Sequence, residues 1–153
     1  MAHVGFAGIK KQGVYAYISA SAATSCTAND WIRLAGTFTN EVLENFVIAG
    51  TPPSVTYRGS ETHFKVDVFG TFESTINSTV LDVGLFVNGV LQVNSVMTQE
   101  LNSNNDVYTI ALTDVLSLGF EDYIEIKIRA DRDASVIANT LTTSLMCFWG
   151  CSH

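Results

Sequence analysis

The residues of this chain best suited to bind a metal lie at its C-terminal end. Cys147, Cys151 and His153 carry the thiol and imidazole groups that Zn²⁺ prefers. Their spacing, C-x-x-x-C-x-H, lacks the second pair of ligands that would complete a tetrahedral site. A terminal strand with buried thiols is therefore favoured over zinc, and we predict no metal at these residues.

A second group of candidate metal ligands is acidic. Asp131 and Asp133 flank Arg132 in a predicted turn, and carboxylates are the ligands that Ca²⁺ prefers. A calcium site would need several further oxygens, which Asp106 or Glu121 would have to supply from neighbouring loops. The sequence therefore neither supports nor excludes a calcium site near Asp131 and Asp133.

Groups for acid–base or nucleophilic catalysis are scarce. Only His63, of three histidines, falls in a predicted strand core, where it shares with Lys65 and Asp67 a face typical of solvated sheets. Glu121 and Asp122 are adjacent, whereas glycosidase carboxylates need separated positions across a cleft. GxSxG, HExxH, P-loop and dinucleotide motifs are absent from the sequence. We therefore expect no catalytic residues, no cofactor and no enzymatic activity.

The composition limits the partners of the chain. At 153 residues it is long enough for one domain with its own core. A formal charge of −7 with eight Lys and Arg argues against nucleic acid, which requires clustered cations. The sequence has no apolar run of the ~18 residues that a membrane helix requires, so we expect no membrane partner.

The N-terminal sequence and the cysteines bear on where the chain folds. MAHVGFAGIKKQGVYAYISASAATSC lacks the charged start, apolar core and cleavage site of an export signal. Three cysteines are an odd number, and Cys147 and Cys151 would project to the same side of a strand. We therefore expect no disulfide framework and folding in a reducing cytoplasm.

The strongest structural signal is the stretch VLDVGLFVNGVLQV, from Val80 to Val93. Its apolar residues recur with period two, which is the period of a half-buried strand. Asn88 and Gly89 then accept the positive φ angles of a type I′ turn. This stretch predicts a β-hairpin with Leu81, Val83, Leu85 and Val87 in the core and Phe86 facing the other way.

Ten segments with similar patterning predict an all-β fold, and turn residues separate them. Their spacing of about ten residues, without intervening helices, favours an antiparallel β-sandwich or jelly roll. We predict strands at Val14 to Ser19, Trp31 to Leu34, Glu44 to Ile48, Ser54 to Tyr57, His63 to Glu73, Val80 to Val87, Val90 to Met97, Val107 to Thr113, Asp122 to Ala130 and Thr140 to Trp149.

Residues 1–24 are rich in Gly, Ala and Ser and differ from the remainder. We interpret them as an N-terminal arm that precedes a sandwich domain spanning residues 25–153. Two alternatives stay open for this arm: an edge strand with a loop, or a segment that clasps a neighbouring subunit.

The order of several short motifs, from Tyr15 to Trp149, resembles a module of tailed-phage structural proteins. The motifs are TSCT, LAGTFT, VTYRGSE, FEST, LFVNG, YTIALTDVLSL, FEDYIEIKIRA and TLTTSLMCF. Such modules are similar to the jelly roll of the C1q and tumour-necrosis-factor superfamily, whose working unit is a homotrimer. The resemblance implies a capsid decoration (cement) protein, made in the host cytoplasm and placed on the outside of a phage head. Its partners would be two further copies of itself and the major capsid protein.

A trimer requires apolar side chains on strand faces that alternation otherwise marks as polar. We predict that some of five such residues line the threefold interface, although each could instead be a core aromatic in a bulged strand. They are Phe69, Phe86, Tyr123, Met146 and Phe148. The N-terminal arm is the predicted capsid-binding segment, through Val4, Phe6, Ile9, Lys10 and Lys11.

An alternative function from a different class is a receptor-binding head domain of a phage fibre or spike. In that interpretation the loops Asn102 to Asp106 and Asp131 to Asp133 would recognise a host saccharide.

Overall fold

A computed structural model describes residues 13–50 and 54–147 of the chain. Within these residues the regular structure is β, apart from a one-turn 3₁₀ helix at Val93–Ser95. The strands are β1 (Gly13–Ser21), β2 (Ala23–Cys26), β3 (Ile32–Arg33), β4 (Gly36–Glu44), β5 (Phe46–Ala49), β6 (Ser54–Tyr57), β7 (Thr62–Ser74), β8 (Thr79–Val87), β9 (Val90–Leu91), β10 (Met97–Leu101), β11 (Tyr108–Leu118), β12 (Tyr123–Ala130) and β13 (Ala134–Cys147). The predicted all-β class is confirmed.

The strands form two antiparallel sheets that pack face to face as a sandwich. The first sheet has the order β11-β7-β13-β1-β4, with β2 added on β13. The second has the order β10-β8-β12-β6-β5, with β3 added on β12 and β9 on β8. This arrangement confirms the predicted jelly-roll sandwich.

The core lies between the sheets and follows the alternation of the sequence. On β7 the buried side chains are Phe64, Val66, Val68 and Phe72, and the alternating residues Lys65, Asp67 and Phe69 point outward to solvent. Because each fully buried large apolar side chain contributes about 1.5–3 kcal/mol, one continuous inner layer stabilises the domain. The register of both sheets is fixed by this pattern, since a slip by one residue would expose the core face.

The predicted hairpin is present. Asn88 and Gly89 have φ angles of 52° and 80°, as a type I′ turn requires, and Val87 pairs with Val90. The single strand predicted from Val90 to Met97 is wrong, because the chain leaves β8 after Leu91 and returns to it as β10. Ser95 fixes the segment between β9 and β10 to β8. Its hydroxyl donates to the Gln92 carbonyl at 2.7 Å and accepts from the Leu85 amide at 3.0 Å.

The described part of the predicted N-terminal arm belongs to the first sheet. β1 lies between β13 and β4, and Val14 and Ala16 are buried in the core. The sandwich therefore includes β1 and does not begin at residue 25. Residues 1–12 lie outside the described part of the chain.

The two ends of the sandwich carry different segments. β1 begins and β13 finishes at one end, where Gly13 pairs with Met146, and we call this the terminal end. The turns at Asn88–Gly89 and at 119–122 lie at the terminal end as well, because β8 and β11 run towards it. The opposite end, which we call the loop end, carries the segments at 75–78, 102–107 and 131–133.

Candidate functional site

The outer face of the first sheet carries exposed apolar side chains in neighbouring strands. Phe69 on β7 is 51% exposed and Met146 on β13 is 65% exposed. Phe69 pairs with Thr142, whose neighbour on β1 is Tyr17, and Met146 pairs with Lys65. Both of these predicted interface residues therefore lie on one sheet face.

Three further residues extend this surface and were not predicted as interface residues. Tyr15 pairs with Ser144 between the positions of Phe69 and Met146, and Val115 on β11 pairs with Lys65. Tyr17 points to the same side. We call the surface made by Phe69, Met146, Tyr15, Tyr17 and Val115 the open face. Alternation in β1 is the signal that could have identified the two tyrosines, since Val14 and Ala16 point the opposite way.

The open face also has polar elements. The Lys65 ammonium lies 3.7 Å from the Asp67 carboxylate between the apolar positions, and both side chains are exposed. A shallow depression of about 350 Å³ lies beside Tyr15 and Tyr17, with Glu41 at its side. One ion pair thus interrupts the apolar part of the open face. A surface of this mixed character can face water in a single chain and can also be covered by a partner.

Phe86 differs from the sequence-based expectation. It points away from the core on β8, as predicted, but is only 5% exposed. Trp31 covers it, with ring centroids 5.3 Å apart, and the Lys127 ammonium lies 4.5 Å from the centre of its ring. The prediction that Phe86 is exposed on a single chain is therefore wrong, because the segment before β3 folds over it.

Two ion pairs cover the part of this second outer face around Phe86, and in one of them the Arg33 guanidinium lies 2.8 Å from the Glu125 carboxylate. The Arg129 guanidinium donates to the Asp82 carboxylate from Nε at 3.0 Å and from Nη2 at 2.7 Å, and it lies 4.7 Å from the Trp31 ring centre. Thr98 adds a hydrogen bond to Asp82 from the edge strand β10. We call this surface the closed face, because side chains of the same chain satisfy its charges and cover its aromatic ring.

The other predicted interface residues are distributed differently. Tyr123 lies at the start of β12 in the second sheet, half-buried beside the Asn88–Gly89 turn and remote from the open face. Phe148 lies outside the described residues. The predicted capsid-binding residues Val4, Phe6, Ile9, Lys10 and Lys11 also lie outside them.

Asp131 and Asp133, which were considered as calcium ligands, instead accept hydrogen bonds that fix neighbouring segments at the loop end. The Asp131 carboxylate accepts from the Val80 amide at 2.9 Å and from Arg132, whose hydrogen bond lowers the pKa of Asp131 below its usual value. The Asp133 carboxylate accepts from the Ala28 amide at 2.8 Å. In residues 13–50 and 54–147 no three His, Cys, Asp or Glu side chains group as metal ligands.

The two loops proposed for saccharide recognition meet at the loop end. Arg132 donates to the Asn77 carbonyl at 3.4 Å, and the Asn77 side chain accepts from the Asn104 amide. Asn77 thereby bridges the segments 131–133 and 102–107. The exposed side chains here are rich in amides and charges, and Val107 is an exposed apolar exception.

The cysteines depart from the expectation of reduced, buried thiols. Cys147, the last residue of β13, is disulfide-bonded, so this expectation is wrong for it. Cys26 is free and buried, and burial raises the pKa of its thiol to about 11. Across the described ranges, no helix has the length and apolar character needed to span a membrane.

Comparison with known proteins finds structures of the same fold but finds no relative by sequence. No protein-family model matches the chain, and no curated protein sequence matches it. The Eiger tumour necrosis factor of S. frugiperda aligns with a TM-score of 0.61 at 8% identity, over 94% of this chain and 96% of that one. Murine APRIL at pH 5.0 aligns with a TM-score of 0.57 at 14% identity, over 90% and 99%.

The vertex protein P5 of PRD1 aligns equally well, with a TM-score of 0.57 at 13% identity, over 92% of this chain and 99% of that one. At these identities the likeness concerns the fold alone. The chain has the jelly roll shared by tumour-necrosis-factor proteins and this vertex protein.

Proposed function

We propose that this protein forms a homotrimer through its open face. The observation that carries the proposal is the contrast between the two outer faces. Trp31 and two ion pairs cover the part of the closed face around Phe86, whereas no side chain in residues 13–50 and 54–147 covers Phe69 and Met146 on the open face. Exposed apolar patches of this kind mark protein interfaces, and burying them gains about 25 cal/mol per Å².

A closed threefold ring needs two different surfaces on each subunit, because its interfaces are heterologous. The second surface in our proposal is the sandwich edge formed by the 3₁₀ turn and β10. Val93 and Met97 are exposed there, next to β11. In this arrangement the edge of one subunit covers the open face of the next.

The trimer is tested by the mass of the purified protein. Light scattering at micromolar concentration should give three times the mass of one chain. Phe69→Asp should give a folded monomer, because a trimer of this variant would have to bury an unpaired carboxylate. Val47→Asp is the matched control, since Val47 is similarly exposed, at 42%, on the second sheet. A monomeric wild type would overturn the trimer, and equal masses for both variants would overturn the choice of face.

The trimer serves, in our proposal, as a capsid decoration protein on the outside of a phage head. The order of sequence motifs supports this role, and the shared fold of a PRD1 vertex protein is consistent with it. A trimer above a threefold or quasi-threefold point bridges adjacent copies of the major capsid protein. Its binding energy then opposes their separation by mass action. The role is structural and not enzymatic.

Decoration is tested by adding purified protein to undecorated phage heads and pelleting them. Stoichiometric uptake, saturating at hundreds of copies for each head, is the expected result. Uptake of only a handful of copies would place the protein at a neck or fibre. No uptake at all would overturn the decoration role.

A second candidate function is recognition of a host saccharide at the loop end. The observation that favours it is the junction of segments 131–133 and 102–107 through Asn77. A protein with this function would label host cells and block phage adsorption. Combined Asn104→Ala and Arg132→Ala changes should then abolish cell labelling while the trimer stays intact.

A further inference from the structure

Each sheet of the sandwich ends in strands that pair on one side only, and such an edge can add a strand from another molecule. Within the described residues these strands are β11 and β4 in the first sheet and β10 and β5 in the second. β5 has four residues and β10 has five, and short edges add strands poorly. The register of β4 on β1 shifts at two positions, and such irregularities twist an edge away from flat pairing. β11 has neither form of protection.

β11 is the long and regular edge of the sandwich. Its eleven residues, from Tyr108 to Leu118, pair with β7 without a register shift. Most of them are apolar or β-branched, and such residues favour extended structure. The 3₁₀ turn at Val93–Ser95 packs near β11, but across residues 13–50 and 54–147 no backbone hydrogen bond joins the two. By its length, composition and regularity, this edge is the one best suited to pair with another chain.

Asp114 is the charged residue of β11, and it lies near the middle of the strand. Alternation directs its side chain inward, between the buried Leu112 and Leu116. The side chain is half-buried there, and a carboxylate oxygen accepts from the Val115 amide at 2.8 Å. A charge that points inward from an edge strand opposes the addition of a further strand, because pairing would remove the charge from water.

Antiparallel pairing of β11 with β11 of a second copy would bring Asp114 against an unfavourable neighbour. A continuous sheet places core-facing residues opposite core-facing residues, so the possible registers differ by steps of two. In the register of greatest overlap, Thr113 lies opposite its own copy and Asp114 lies opposite Leu112. A shift by two residues brings the two Asp114 carboxylates opposite each other, and like charges in that position are destabilising. Both registers therefore oppose pairing while the carboxylate is present.

We propose that Asp114 prevents the edge of β11 from pairing with the same strand of a second copy. The inference concerns a sheet edge and not the open face, so it is independent of the oligomer that the open face forms. Loss of the carboxylate leaves a folded domain whose edge can add a strand. Two such edges, related by a twofold axis, then join the first sheets of two molecules into one continuous sheet.

The test compares Asp114→Val with the matched control Thr113→Val. Both changes place valine in the middle of β11, but Thr113 is uncharged and exposed on the outer face. Light scattering at increasing concentration should show Asp114→Val rising above the mass of the wild type, with association at least about tenfold tighter, because no charge is buried. Thr113→Val should follow the wild type. Hydrogen exchange of the associated form should show newly protected amides in β11.

A measurement of stability separates edge pairing from unfolding. Valine suits a core-facing position between Leu112 and Leu116, so the urea midpoint of dilute Asp114→Val should equal or exceed that of the wild type. Asp114→Asn removes the charge at nearly constant size and should also associate, which keeps the test available if the valine variant does not fold.

Three results would overturn the proposal. The first is an unchanged mass in both Asp114 variants at every concentration. The second is equal association of Thr113→Val, which would assign the effect to apolar character and not to the lost charge. The third is association with a lowered urea midpoint or without protection of the β11 amides, because the contact would then arise from unfolding or from another surface.

Discussion

Trp31 packs against Phe86 edge to face, with ring centroids 5.3 Å apart and ring planes at 70°. The two residues are 55 positions apart in the chain, and the segment before β3 brings Trp31 onto the outer side of β8. Gly84 leaves room for this packing, since a β-carbon there would lie 3.2 Å from the indole and crowd it. The contact covers Phe86 on the outer side of the second sheet, whereas Phe69 and Met146 on the outer side of the first sheet stay exposed.

Replacing Trp31 with alanine should destabilise the domain without dissociating the trimer. It removes the edge-to-face contact and the surface beneath the Arg129 guanidinium. Because Trp31 is only half-buried, we expect a loss of about 2 kcal/mol, below the ~3–5 kcal/mol of a fully buried aromatic. Urea unfolding measures the loss, and Trp31→Phe should recover part of it. An unchanged urea midpoint would contradict a covering role for Trp31.

The elements predicted well are those whose signal is local. β8 and the Asn88–Gly89 turn have strict alternation followed by a dipeptide that accepts positive φ, and both are present. β12 is similar, since Ile124 and Ile128 alternate with charged residues and are buried. In such segments the hydrophobic pattern alone determines which side of the strand faces the core.

The elements missed depend on contacts that are distant in sequence. No strand is predicted between Leu34 and Glu44, yet β4 forms there by pairing with β1 at the sheet edge. Phe86 was placed on the correct side of β8, yet alternation cannot show that Trp31 covers it. The sequence predicts the open face in part, through Phe69 and Met146. Alternation shows which side chains point away from the core, but it does not show which of them other residues cover.

Substitution of Gly70 by alanine should be costly, although Gly70 lies in a long regular strand. A β-carbon there would lie 2.8 Å from the Thr140 carbonyl oxygen, a backbone atom that cannot move away easily. We expect a loss of about 1–3 kcal/mol, as for other overpacked cores. Gly119→Ala is the control, since its β-carbon would meet only ordinary contacts, the nearest at 3.6 Å. Equal denaturant midpoints for the two variants would contradict this reasoning.

The Asp131 carboxylate should make the stability of the loop end depend on acid pH. The hydrogen bond from Arg132 is the first cause that lowers the pKa of Asp131 below its usual 3.8 in the folded protein. A carboxyl whose pKa is lower when folded stabilises the fold above about pH 4, and this contribution is lost as the pH falls through the folded value. Asp131→Asn should therefore lower stability at pH 7 and flatten its fall below pH 4.

Arg132→Gln is the companion variant for this prediction. It leaves the Asp131 carboxylate in place and removes the guanidinium that holds it. Urea midpoints measured from pH 2.5 to pH 7 should show the same flattening, to a smaller degree because the Val80 amide still donates to Asp131. An acid profile identical to wild type in both variants would mean that this pair does not contribute.

The thiol of Cys26 should be unreactive until the domain unfolds. It is 5% exposed, and burial raises its pKa from 9.0 to about 11. At pH 8 about one molecule in a thousand then carries the thiolate, which is the reactive form, so both access and ionisation limit alkylation. Iodoacetamide at pH 8 should label the Cys26 peptide slowly in native protein and rapidly in denaturant, as followed by mass spectrometry. Rapid labelling of the native protein would show that β2 opens readily from β13, to which its four residues are paired.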